Sequence, residues 1–187
     1  MEHEYLDDRR KSLEEQFFAK YNHERLERMR EQREEVESRE ALAAATGIED
    51  EGVLHRLVEI GVRVDTLSAL YLFPLVFVAW ADHKLDDKER RAILKASGEA
   101  GVEKDSVAYH MLEQWLNREP SNEVFDAWKG YVEALRGEMA DSVYNSLRDD
   151  VIGRARRVAQ SAGGYLGMMS VSAAEEARLS NLEKAFG

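Results

Sequence analysis

The chain has 187 residues, of which 44% are hydrophobic and 34% charged, with 12 Gly, 2 Pro and no Cys. It is long enough to bury a core without staples. It is too poor in turn residues for an all-β protein, which breaks roughly every eight to twelve residues. The lack of Cys excludes disulfides, thiolate zinc sites, iron–sulfur clusters and cysteine nucleophiles. The net charge of −11 argues against a broad nucleic-acid surface, which needs a basic stripe.

Residues 1–46 form one compositional block. Between Glu24 and Glu40, 12 of 17 residues are charged. Opposite charges fall at i,i+4: Glu24 with Arg28, Arg30 with Glu34, Arg33 with Glu37 and Glu35 with Arg39. Such pairs support an exposed helix. Apolar residues are sparse but helically spaced: Leu6, Leu13, Phe17, Tyr21, Leu26, Met29 and Val36. The spacing predicts one long charged helix, about 4–45, with a narrow stripe as on a coiled-coil strand. Phe17, Phe18 and Tyr21 are its large anchors. They are expected to dock on the body, a protein partner or a second copy.

From Gly47 the composition is globular, and 47–187 is read as one all-helical domain. Helical patterns fall at about 50–61, 65–82, 86–100, 104–118, 122–136, 138–162 and 172–186. Gly61, Gly98 with Gly101, and Glu119-Pro120-Ser121 mark the breaks; Gly163-Gly164 and Gly167 mark an irregular loop. The fold class expected is all-α. The most apolar stretch, Leu67–Ala81, is 15 residues long and carries Pro74. It is short of the roughly 20 residues of a membrane span and reads as a central buried helix. The opening residues, Met1-Glu2-His3-Glu4-Tyr5, do not resemble a signal peptide. The expected location is therefore the cytoplasm, with no membrane span.

Two segments rhyme. Val78-Ala79-Trp80-Ala81-Asp82 is followed by Asp86-Asp87-Lys88-Glu89. Val158-Ala159-Gln160-Ser161-Ala162 is followed by Ser172-Ala173-Ala174-Glu175. Each second part is a capping box, in which Asp or Ser caps the first turn and Glu reaches back to the cap N–H. The rhyme suggests pseudo-two-fold packing. Residues 78–94, VAWADHKLDDKERRAIL, resemble the tellurite-resistance TerB-like family. That family is all-helical. Each of its two halves has a helix ending in Ala-Asp-Gly, an acidic loop, and a Glu in the next first turn. Ala81, Asp82 and Glu89 match the first half, with His83 in place of Gly. Glu175 matches the second Glu, but Ala162-Gly163-Gly164 lacks the second acid. In helix order the resemblance runs over about 62–187; it is specific around 78–94. It implies a TerB-like helical bundle, a role in stress or metal-ion response, and a divalent-cation site with one ligand missing.

Asp82, Asp86, Asp87 and Glu89 place four carboxylates within eight residues. Oxygen ligands suit Ca²⁺, Mg²⁺ or Mn²⁺, and Asp82 with Glu89 lead as ligands, assisted by Asp86 or Asp87. The competing reading is a capping box among solvated charges. The spacing is not an EF-hand, and Lys84 and Lys88 compete for the carboxylates. None of the five His lies in an H-E-x-x-H arrangement, and His83 reads as a surface loop residue. The aromatics Phe73, Phe77, Trp80, Trp115, Phe125 and Trp128 read as core. Arg154, Arg156 and Arg157 read as a solvated or salt-bridged face. No nucleophile or phosphate-loop signature is present. The expected function is a non-enzymatic TerB-like module acting through protein contacts and binding a divalent cation weakly. The alternative is a structural adaptor or oligomerisation protein that works through its amino-terminal helix without metal.

Overall fold

The computed structural model describes the backbone of residues 2–162 and 171–187, and the side chains of 20, 23–161 and 171–187. The Gly163-Gly164 and Gly167 loop, and the side chains of Phe17, Phe18 and Tyr21, lie outside these. Among the described residues there are eight α-helices, one 3₁₀ turn and no strand. The all-α class holds.

The chain divides into two units, Met1–Glu40 and Ala41–Gly187. The first consists of the greater part of helix α1, Glu2–Thr46. Its ion pairs follow the i,i+4 rule: Lys20 with Glu24 at 3.9 Å, His23 with Glu27 at 3.1 Å, and Arg39 with Glu35 at 3.8 Å. Leu26, Met29 and Val36 are exposed.

The last turn of α1 belongs to the second unit, so the division falls before the 46/47 boundary read from composition. Leu42 and Ile48 are buried in the core of this unit. Gly47, at φ 78°, closes the turn with its N–H on the Ala43 carbonyl at 2.9 Å. This is a left-handed helix cap.

The remaining helices are α2 Glu51–Glu59, α3 Leu67–Ala79, α4 Asp87–Glu99, α5 Val107–Asn117, α6 Asn122–Glu138, α7 Asp141–Ala162 and α8 Ala173–Ala185. Their starts follow from local chemistry. Asp50 caps α2 through the Val53 N–H, and Ser106 caps α5 through the Tyr109 N–H. The α2 and α4 ends are Schellman closures. At the first, Val62 N–H reaches the Leu57 carbonyl; at the second, Val102 N–H reaches that of Ser97, both at 2.9 Å. Gly61 and Gly101 supply the positive φ, 83° and 76°. Gly98 lies inside α4 and terminates nothing. The helix expected at 65–82 begins as a 3₁₀ turn, Val64–Thr66, because the Thr66 hydroxyl accepts the Arg63 N–H at 2.7 Å.

Helix α3 is the centre. It buries Leu70, Leu72, Phe73, Pro74, Leu75, Val76 and Val78 all round its axis. It packs most extensively against α7, and also against α4, α5, α6 and α8. Helix α7 buries the stripe Val151, Ala155, Val158 and Ala159, spaced along one helical face. No single described helix is long and apolar enough to cross a membrane. The aromatic residues form one connected core cluster. Phe73 meets Trp115 edge-on at 5.6 Å and Trp128 at 6.2 Å, and Phe77 stacks on Phe125 at 4.4 Å. Phe73→Ala should cost about 3–5 kcal/mol, read as a lower urea midpoint at unchanged m-value; a loss under 1 kcal/mol would contradict the central placement.

Candidate functional site

Among the described residues, only two charged side chains are buried: Glu89, 4% exposed, and Glu175, 8% exposed. They occupy matching positions, the third residue of α4 and of α8. Each accepts its own cap's backbone N–H: Glu89 Oε2 from Asp86 at 3.0 Å, and Glu175 Oε2 from Ser172 at 2.6 Å. The reciprocal bonds run from Glu89 N–H to Asp86 Oδ1 at 2.8 Å and from Glu175 N–H to Ser172 Oγ at 3.2 Å. Both capping boxes read from the sequence are therefore formed. Each box ties a helix start to its preceding loop. Packing of α4 and α8 into the helical body removes the two carboxylates from water.

Burial pushes the Glu89 carboxyl from 4.5 up to about 7, opposed by the Asp86 N–H bond and reinforced by the charges of Asp86, Glu175 and Asp82. The structure thus brings Glu89, Asp86, Asp82 and Glu175 within electrostatic reach of one another. Asp86 is the α4 cap, bonding the Lys88 and Glu89 N–H groups. Asp82 turns the loop, its Oδ1 accepting the Lys84 N–H at 3.0 Å. Asp87 is exposed in the first turn of α4. Among the described residues, no group of three or more His, Asp and Glu is arranged to hold a metal. One oxygen each of Asp82, Asp86 and Glu89 is engaged as a turn or cap acceptor.

The loop between α3 and α4 is fastened by Arg178, which sequence reasoning did not single out, together with Glu119 and His83. Arg178 lies one turn beyond Glu175 on α8. Its guanidinium donates to the Phe77 carbonyl at 3.0 Å and to Glu119 Oε1 at 2.8 Å, and lies 4.5 Å from the centre of the Phe77 ring. The other Glu119 oxygen faces His83 Nδ1 at 2.8 Å. Partial burial raises the Glu119 pKa, but the bonds from His83 and Arg178 outweigh it and hold the carboxyl below its ordinary value. Arg90 donates to the Leu116 carbonyl at 2.5 Å and to Asn117 Oδ1 at 3.1 Å. Trp80 Nε1–H donates to the Trp115 carbonyl at 2.9 Å. The i,i+3 spacing of Glu175 and Arg178 was the one signal in the sequence; the partners across 59 and 101 positions had none.

His83 stands in the left-handed region, at φ 62°, at the position where the TerB-like pattern has Gly. A β-carbon there is strained. No family model matches the chain, and comparisons with curated proteins and with solved structures return no match.

Two predictions follow from this geometry. Between pH 4.5 and about 7 the native state keeps a proton on Glu89 that the unfolded chain has released. This contribution is therefore full below about pH 4.5 and lost as pH rises through 7. Glu89→Gln keeps an acceptor for the Asp86 N–H and removes that slope. Urea midpoints should show the variant gaining on the wild type by on the order of 2–3 kcal/mol from pH 4.5 to 7.5; parallel curves would refute the buried acid. At position 83, both Gly and Ala lose the Glu119 bond, but only Gly relieves the backbone. His83→Gly should melt above His83→Ala by about 1 kcal/mol.

Proposed function

We propose that the chain is a non-enzymatic TerB-like helical module that acts through protein contacts in a stress or metal-ion response. The observation that carries this reading is the buried pair Glu89 and Glu175 at matching positions of two capped helices. It is the arrangement expected if the two halves of a TerB-like body face each other. The ordered fastening of the α3–α4 loop by Arg178, Glu119 and His83 suits a binding face better than a moving lid.

A divalent cation belongs to this reading as a weak ligand. It would draw on Asp82 and Glu89, with Asp86 or Asp87 assisting, and would displace the proton that Glu89 otherwise holds. It would compete with the hydrogen bonds that Asp82 Oδ1, Asp86 Oδ1 and Glu89 Oε2 now accept, and the second half supplies no matching acid after Ala162. Thermal melts with Ca²⁺, Mg²⁺ or Mn²⁺ against chelator test it. A tenfold excess over Kd stabilises by about 1.4 kcal/mol, a rise of roughly 3–6 °C. Asp82→Asn should abolish the rise while hardly moving the metal-free midpoint, since Asp82 is exposed. Indifference to every cation would remove the metal part.

One observation favours the second reading, an adaptor or oligomerisation protein without metal. Leu26, Met29 and Val36 are 55%, 57% and 42% exposed on α1. Under that reading, replacing all three with Glu abolishes self-association in sedimentation equilibrium and leaves the melt of the body unchanged.

A further inference from the structure

Helices α4 and α7 enclose a groove of about 460 Å³, and its lining is chemically divided. Ala92, Ala96 and Val158 form an apolar floor, where the small side chains leave room. Lys95, Arg154 and Arg157 stand around it, with Glu99 as the one carboxylate in the lining. Three cations against Glu99 give the lining a positive balance, reduced but not removed by Asp150, which pairs with Arg154, in a chain of net charge −11. A volume of this size accommodates a small organic ligand.

The three neighbouring arginines of α7 have different fates. Arg156 turns to α8, pairing with Glu176 at 3.2 Å and Glu183 at 3.6 Å. Arg154 is clamped: its Nε–H donates to both Asp150 oxygens at 3.0 and 2.9 Å. Asp150 is in turn held by the Tyr71 hydroxyl, and the guanidinium sits 5.9 Å from the centre of the Tyr71 ring. The terminal nitrogens of Arg154 have no hydrogen-bond partner among the described residues. Arg157, one turn on and exposed, has no ion pair among the described residues. Among the described residues Lys95 pairs with Glu99 alone, at 3.8 Å and well exposed, a pair of little strength. A guanidinium fork already fixed in place loses little entropy on binding an oxyanion.

We propose that this groove binds a small molecule carrying a phosphate-type oxyanion, with the anion on Arg154, Arg157 and Lys95 and an apolar part on Ala92, Ala96 and Val158. The whole-chain charge disfavours a long polyanion, so the ligand is a small phosphate monoester rather than nucleic acid. The site is separate from the Glu89–Glu175 pair and does not rest on the TerB-like reading.

The probe is phenyl phosphate, with inorganic phosphate, phenol and chloride as comparisons at matched ionic strength. Binding to the full chain is followed by amide chemical shifts and calorimetry. Phenyl phosphate should bind with a Kd of about 1 mM, more tightly than inorganic phosphate. Phenol should not bind. Arg157→Gln and Lys95→Gln, both exposed positions, should each weaken binding about tenfold at an unchanged melting temperature. Arg154→Lys, which keeps the charge but not the fork, should weaken it as well. No saturable binding of phenyl phosphate at about 20 mM, or binding undiminished in the Lys95→Gln/Arg157→Gln double variant, would overturn the site.

Discussion

Beyond Ser68 in its first turn, no residue of helix α3 is left exposed to water. Leu70, Leu72, Phe73, Leu75, Val76 and Val78 point in every direction around it and all are buried. Such a helix is stable only when other helices cover it on all sides. The remainder of the body meets this demand: α7 lies along it, and α4, α5, α6 and α8 close the rest. The aromatic cluster grows from the same constraint, because Phe73 and Phe77 project from α3 into Trp115, Trp128 and Phe125. The first turns of α4 and α8 are drawn inward as well, burying Glu89 and Glu175.

That inward draw explains the pair of buried acids. A carboxylate taken from water is costly unless it is hydrogen-bonded. Glu89 and Glu175 have one such bond each, from the N–H of their own cap, and sit in a first helical turn, where the helix dipole favours negative charge. These interactions offset burial without cancelling it, which is why Glu89 holds its proton to about pH 7. The proposed role in metal-ion response rests on the matched burial of this pair at two capped helix starts.

Charge is distributed unevenly by the same packing. Arg178 is drawn under the α3–α4 loop and joins Phe77, Glu119 and, through Glu119, His83. Arg156 is drawn to α8. Arg154 and Arg157 are left beside Lys95 on the α4–α7 groove. Three arginines within four positions of one helix thus take separate roles. The reading of a solvated or salt-bridged face fits each of them, Arg154 and Arg156 as ion pairs and Arg157 as an exposed side chain.

The sequence by itself determined the helices and their punctuation, since these depend on neighbours within four or five positions. The 3.6-residue apolar period, the Asp86–Glu89 and Ser172–Glu175 boxes, and the Gly61 and Gly101 closures are all local physics. It also marked Asp82, Asp86, Asp87 and Glu89 as a cluster, with Asp82 and Glu89 as the leading pair, without showing which of them is buried. Tertiary structure decided that only Glu89 of the four is buried, and that its buried counterpart is Glu175, 86 positions away. It likewise decided that Arg178 fastens the loop through Glu119, and that Lys95 faces Arg154 and Arg157 across a groove. Solvent exclusion and long-range electrostatics depend on which helices pack together, and periodicity along one helix carries no record of its neighbour.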